Sequence, residues 1–337
     1  MRRMLYVAIC MVVTVAGFAV TSDAPAADSS GTPRAPGRGV GPVRQPVEFT
    51  VQNTQEGNAA RKLAGYRYDP FCQSKTAVLL LHGLSYTREA WDFPGYSVAQ
   101  EIAKAGYTVF AYDRLGYGES KLENGYMVTH EAMAGQANQV IKQLREQGFE
   151  HIVLGGHSAG AGATELLAGT FGGVDAIMPL GWHHRPSNQL GQDFFTGDTP
   201  RALQDDYEYF LGTPEHRAEM FYEPNADPAV VEADTKAAVP TPSGEILTIN
   251  KQPSRFVAGR IDVPVFLQFG AKDRLFELQY ARMHAEEFRS SPSVTVDVVP
   301  FSGHTFMLTK EGIAGTERMV KWLRSRPEAP SCLDSAY

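Results

Sequence analysis

Six short, almost uninterrupted apolar runs leave this chain few folds to adopt: Ala77–Leu81, Tyr107–Tyr112, Ile152–Leu154, Val174–Leu180, Val263–Phe269 and Val294–Val299. A strand that alternates apolar and polar residues keeps one wet face, whereas a strand that is apolar throughout is buried on both. Stretches with helical character separate the runs, at Tyr96–Ala105, His130–Gln147, Ala159–Gly169, Glu277–Phe288 and Ile313–Ser325. Doubly buried strands alternating with helices predict a mostly parallel sheet covered on both faces, an α/β doubly wound architecture. Upstream, Val47–Val51 alternates cleanly and Leu63–Tyr68 less so, which predicts antiparallel strands with one exposed face.

One interval breaks the alternation. From His183 to Arg260 the chain is polar and dotted with prolines, with short helical patches at Leu203–Leu211 and Ala229–Ala237. That is too long for a plain connection within a compact domain, and connections of this kind are commonly functional. Residues 183–260 are therefore read as an inserted lid between core segments 46–182 and 261–337, and the 337 residues are ample for such a domain.

The N-terminus has a different character. Arg2 and Arg3 precede the apolar stretch Met4–Val20, and Ala24-Pro25-Ala26 supplies the small residues of a cleavage site, so residues 1–26 read as a signal peptide and the protein as exported. Residues 27–45, rich in Ser, Gly, Pro and Ala, bury too little to offset their chain entropy and read as a disordered spacer. No second apolar stretch is long enough to span a membrane, so no stable membrane association is expected after cleavage. The formal net charge of -7 argues against nucleic-acid or anionic-membrane partners, and losing Arg2, Arg3 and Asp23 with the signal keeps the balance acidic. Cys10 falls within the signal, which leaves Cys72 and Cys332 as an even pair in an exported chain and predicts a disulfide between them.

The chemistry centres on Gly156-His157-Ser158-Ala159-Gly160, set between the strand-like His151–Gly155 and the helical Ala159–Ala168. A serine on so tight a turn has its hydroxyl pushed out at the carboxyl end of the strand. A hydroxyl is a poor nucleophile at neutral pH and requires a base, which needs a partner to fix its tautomer. Asp273 follows the run Pro264–Phe269, and His304 follows Val294–Val299, so both lie at the same sheet edge as Ser158. The order Ser158, Asp273, His304 is the one that accompanies a nucleophile of this type. His82-Gly83-Leu84 follows another strand, so the backbone N–H groups of Leu84 and Ala159 are assigned to an oxyanion hole, where removing one donor typically costs about 2.7–4 kcal/mol.

The remaining histidines read as structural. His82 shapes its turn, His157 packs inside the elbow, and His130, His151, His216 and His284 read as surface or helix residues. His183 and His184 are adjacent, and neighbours in extended chain point opposite ways, so no metal site is expected of the pair. Trp182 and His183, at the start of the insertion, are candidates for contact with substrate. No cofactor is expected.

His82-Gly83, Asp113-x-x-Gly116-x-Gly118-x-Ser120, Gly156-x-Ser158-x-Gly160, Asp273 and Gly303-His304 together resemble the α/β-hydrolase superfamily over most of residues 47–325. The resemblance implies an architectural role for Asp113 and a packing role for Trp91. Ser158, standing where an aspartate would, argues against the epoxide hydrolases and haloalkane dehalogenases of that superfamily. His82-Gly83-Leu84-Ser85 lacks the His-Gly-Gly-Gly run of one esterase/lipase branch and the His-Gly-Gly-Pro run of proline-releasing peptidases. The resulting expectation is an exported serine hydrolase acting on carboxylic esters, with a small-molecule ester-like substrate as its partner. Carbon–carbon hydrolysis, lactone opening, cyclisation or acyl transfer by the same residues stand as alternatives, and a binding protein without catalysis as a third class.

Overall fold

Every one of the apolar runs supplies a strand of one sheet. In the computed structural model, which describes residues 42–185, 208–223 and 226–330, eight strands form that sheet. They are β1 (Val43–Asn53), β2 (Ala59–Asp69), β3 (Thr76–Leu81), β4 (Thr108–Tyr112), β5 (His151–His157), β6 (Ala176–Leu180), β9 (Val265–Gly270) and β10 (Val294–Val299), with a separate two-residue ladder between β7 (Tyr209–Phe210) and β8 (Thr241–Pro242). The order across the sheet is β1-β2-β4-β3-β5-β6-β9-β10. The β1–β2 and β2–β4 pairs are antiparallel, and every later pair is parallel. The crossovers that parallel pairing demands are helical.

Helices close both faces. They are α1 (Val98–Lys104), α2 (His130–Glu146), α3 (Ala159–Phe171), α4 (Pro214–Phe221), α5 (Pro228–Ala237), α6 (Ser243–Ile249), α7 (Ala281–Ala285) and α8 (Lys310–Arg324). Alternate residues of β3 enter opposite cores: Ala77, Leu79 and Leu81 pack beneath α2 and α3 with Ile141 and Leu167, while Val78 and Leu80 pack toward α1 and α8 with Ile102 and Leu323. Each fully buried Val or Leu of this kind contributes about 1.5–3 kcal/mol. Helix starts follow from capping: the hydroxyls of Thr129 and Thr309 accept the N–H groups of Ala132 and Gly312, at 3.1 and 3.0 Å.

Several expectations shift. The first strand starts at Val43, inside the stretch read as spacer, because Val43–Asn53 pairs with β2 along its whole length. The single helix expected over Glu277–Phe288 is a 3-10 turn at Leu278–Tyr280 followed by the short α7. Leu278, Ala281, Ala285 and Phe288 face the core, while His284 and Glu287 are held by polar partners. His130 and His284 are helical but fully buried, not surface residues. Of the patch Leu203–Leu211, the described part contains β7 and no helix.

Within the interval 183–260, the described residues form α4, α5 and α6 and pack against core loops. Arg217 on α4 reaches Asp234 on α5 at 2.9 Å, with its guanidinium against the rings of Tyr86 and Phe221. The N–H of Ser85 donates to the Thr241 hydroxyl at 3.0 Å. The segment 1–26 read as a signal peptide, the stretch read as spacer as far as residue 41, residues 186–207 of the interval, and Cys332 lie outside the described residues. Cys72 is disulfide-bonded. Nearby, the Thr76 hydroxyl donates to the carbonyl of Glu328 at 2.5 Å, which brings the C-terminal segment alongside the start of β3. No helix among the described residues is long and apolar enough to cross a membrane.

Candidate active site

Ser158 occupies the N-cap of α3 at φ 55°, ψ -121°, a region that L-residues rarely enter. Serine at a helix N-cap ordinarily accepts a backbone N–H, as the threonines before α2 and α8 do, yet the Ser158 side chain makes no capping bond. The turn is possible because its flanking residues lack side chains. A Cβ on Gly156 would collide with the Gly160 carbonyl, and one on Gly160 with the Leu81 carbonyl. The N–H of Ser158 donates to the Leu180 carbonyl of β6 at 2.8 Å, which fixes the turn to the neighbouring strand.

Asp273 and His304 meet as expected. His304 Nδ1–H donates to Asp273 Oδ2 at 2.8 Å, and Asp273 Oδ1 accepts the N–H groups of Leu275 and Phe276 at 2.8 and 2.9 Å. The carboxylate is thus fixed on both oxygens, and the imidazole is steered by one of them. The other ring nitrogen, Nε2, is buried and has no partner among the described residues. Its ring lies between Phe221 and Phe276, each at a centroid distance of 5.4 Å. A Cβ on Gly181, directly after Leu180, would stand 3.4 Å from both His304 Cε1 and His157 Nε2. The imidazole therefore sits beside the peptide that anchors Ser158. No hydrogen bond joins Ser158 Oγ to Nε2 in this structure, and such bonds commonly tighten only when substrate is bound.

The loop assigned to oxyanion binding lies against Ser158, since a Cβ on Gly83 would approach the Ser158 Cβ to 3.1 Å. Ala159 opens α3, so its N–H is among those that no helix carbonyl reaches. Leu84 and Ala159 share a small buried cluster with Trp182, Phe221 and Phe276. His82 has the structural role read from the sequence: Nδ1–H donates to the Gly83 carbonyl at 2.8 Å and Nε2 accepts the Arg114 N–H at 3.0 Å. Burial, with Arg114 adding to it, holds its pKa well below the usual histidine value. Asp113 accepts the N–H groups of Arg88 and Glu119, at 2.8 and 2.9 Å, and Trp91 is completely buried.

Trp182 and His183, expected to contact substrate, are closed off from solvent at 1% and 0% exposure. Both rings pack on Phe276, at 4.9 and 5.2 Å between centroids, so they form the wall behind the site. Burial pushes the His183 pKa down to about 4, which keeps the ring neutral. His183 and His184 do face different surroundings. His184 turns toward Glu165 and Glu287, a grouping that no local pattern signals because both carboxylates come from segments distant from it.

A family model described as the alpha/beta hydrolase family matches residues 78–316, and the chain belongs to that family. Solved structures agree on the fold. A thermophilic esterase from Thermogutta terrifontis superposes with a TM-score of 0.67 at 20% identity, over 84% of this chain and all (100%) of that one. A monoacylglycerol lipase of Paleococcus ferrophilus gives 0.64 at 18% identity, over 77% of this chain and 97% of its own. A bromoperoxidase from Bacillus anthracis gives 0.61 at 17%, over 83% and 100%.

Proposed function

We propose that the protein is an exported serine hydrolase that cleaves small carboxylic esters through an acyl-enzyme on Ser158. The observation that carries this reading is the state of His304: one ring nitrogen is engaged by Asp273 at 2.8 Å, and the other is buried beside the Ser158 turn without a partner among the described residues. An imidazole held this way has its free nitrogen as the proton acceptor. Nε2 takes the Ser158 proton as Oγ attacks the ester carbonyl, and Asp273 stabilises the imidazolium that forms. The N–H groups of Leu84 and Ala159 receive the negative charge on the carbonyl oxygen. Nε2–H then protonates the leaving alcohol, and water repeats the sequence on the acyl-enzyme to release the acid.

The esterase and lipase among the similar structures favour an ester, and the bromoperoxidase makes the fate of the acyl group a matter for measurement. Hydrolysis of a short-chain aryl ester in labelled water decides it. The proposal expects label in the acid product and loss of turnover in Ser158→Ala with an unchanged melting profile. Undiminished turnover in that variant removes the mechanism. An unlabelled acyl product moves the assignment to acyl transfer. Export is supported by the N-terminal pattern and by the disulfide at Cys72.

A further inference from the structure

Behind the candidate nucleophile, three side chains from separate elements converge in a space closed to solvent. Glu165 lies two turns along α3 from Ser158, His184 follows β6, and His284 belongs to α7. Each offers one ligand atom, and these atoms lie within 4.8 Å of one another. The Nε2 atoms of His184 and His284 both face the Glu165 carboxylate, at 2.8 Å from Oε2 and 2.9 Å from Oε1. The Nδ1 atoms both face Glu287 Oε2, at 2.5 and 3.3 Å. Ser254 Oγ stands 2.8 Å from His184 Nε2.

We propose that Glu165, His184 and His284 form a site for one divalent transition-metal ion of the Zn²⁺ class, bound through the Glu165 carboxylate and both Nε2 atoms. The donor set argues for that class, because two imidazoles and a carboxylate suit Zn²⁺ or Co²⁺, whereas Ca²⁺ and Mg²⁺ take oxygen ligands. The outer partners argue for it as well. A metal-bound imidazole characteristically donates its remaining N–H to a carboxylate, and Glu287 stands at that position for both rings. Charge permits it: a dication bound to two neutral imidazoles offsets the carboxylates of Glu165 and Glu287 at this largely buried point. A tetrahedral ion at ordinary bond lengths sets neighbouring ligand atoms ~3.3 Å apart, so the cluster opens only slightly to admit it. Glu287, 20% exposed, marks the route from solvent.

Such an ion is structural. It joins α3, which starts at Ser158, to the segment beyond Leu180, whose carbonyl holds Ser158, and to α7, which follows the Asp273 turn. The test uses the full chain, stripped with a chelator and titrated with Co²⁺. The expected result is one equivalent bound, the visible absorption of a four-coordinate ion, and two exchangeable, hyperfine-shifted proton resonances from the two Nδ1–H groups. Glu165→Gln and His284→Gln should abolish these signals, Glu287→Gln should weaken binding about 10–100-fold, and Zn²⁺ should raise the melting temperature of the stripped wild type. A folded chain that takes up no ion, one whose bound Co²⁺ shows fewer than two such resonances, or uptake unchanged in the substituted chains overturns the proposal. Should the substituted chains fail to fold, the count of resonances in wild type decides alone. A cluster filled only by protons is the outcome in which no ion is retained.

Discussion

The His157 ring, one residue before Ser158, donates from Nε2 to the backbone carbonyl of His304 at 3.0 Å. The elbow therefore holds the loop that carries its own candidate base. The two rings also lie 4.7 Å apart, and burial, with the neighbouring His304 adding to it, keeps the His157 pKa well below the usual value. A neutral ring with Nε2 as donor is the form this bond requires. His157→Ala should lower kcat roughly tenfold to a hundredfold through misplacement of His304, with KM little changed. Steady-state kinetics on an aryl ester check this, and an altered KM with unchanged kcat contradicts it.

Asp273 fixes the tautomer of His304 while its other oxygen is held by the Leu275 and Phe276 N–H groups. Asp273→Asn preserves the volume but presents an N–H, or an uncharged oxygen, to Nδ1. The expected cost in kcat is on the order of 10⁴-fold with the fold intact. Circular dichroism and a pH–rate profile separate this loss from unfolding.

Glu245 on α6 reaches Arg114 and the hydroxyl of Tyr117, with His130 Nδ1 at 3.4 Å, and the whole group is buried. Burial alone would raise its pKa, but the attraction of Arg114 and then of His130 brings it down to about 2, from an ordinary value of 4.5. A folded pKa below the unfolded one means stability that is present above pH 4.5 and lost as pH falls toward 2. Glu245→Gln leaves Arg114 unpaired and should cost about 3–5 kcal/mol at neutral pH. Melting curves should show the gap to wild type closing below pH 4.5, and a gap independent of pH contradicts the assignment.

Cys72 is disulfide-bonded and Thr76 touches Glu328, so we expect Cys332 to be its partner. Peptide mapping without reductant should recover the Cys72–Cys332 pair. Closing so long a loop contributes about 5–6 kcal/mol in the chain-entropy model, so reduction or Cys332→Ser should lower the melting temperature. Recovery of Cys72 as a free thiol contradicts the pairing.

Much of this was legible because it rests on local pattern. Strands buried on both faces must be apolar throughout, so β3, β4, β5, β6 and β9 stood out, and a glycine-flanked serine between strand and helix could be read without coordinates. Asp273 and His304 were found because strand ends share one sheet edge. What the sequence hid depends on distant partners. Nothing in the local pattern marks His284 as buried, because Glu165 and His184, which face its ring, come from distant segments, and Glu277–Phe288 reads as one helix although it is divided into a 3-10 turn and α7. The ties from Arg217 and Thr241 to the Tyr86 and Ser85 loop were invisible for the same reason.

Covalent labelling tests the central claim most directly. The full chain is treated with a fluorophosphonate, digested and mapped by mass spectrometry, beside a His304→Ala chain confirmed to be folded. The account predicts a single adduct on the peptide containing Ser158 and labelling slowed by orders of magnitude without His304. An unlabelled wild-type chain, an adduct on another residue, or labelling indifferent to His304 would contradict it.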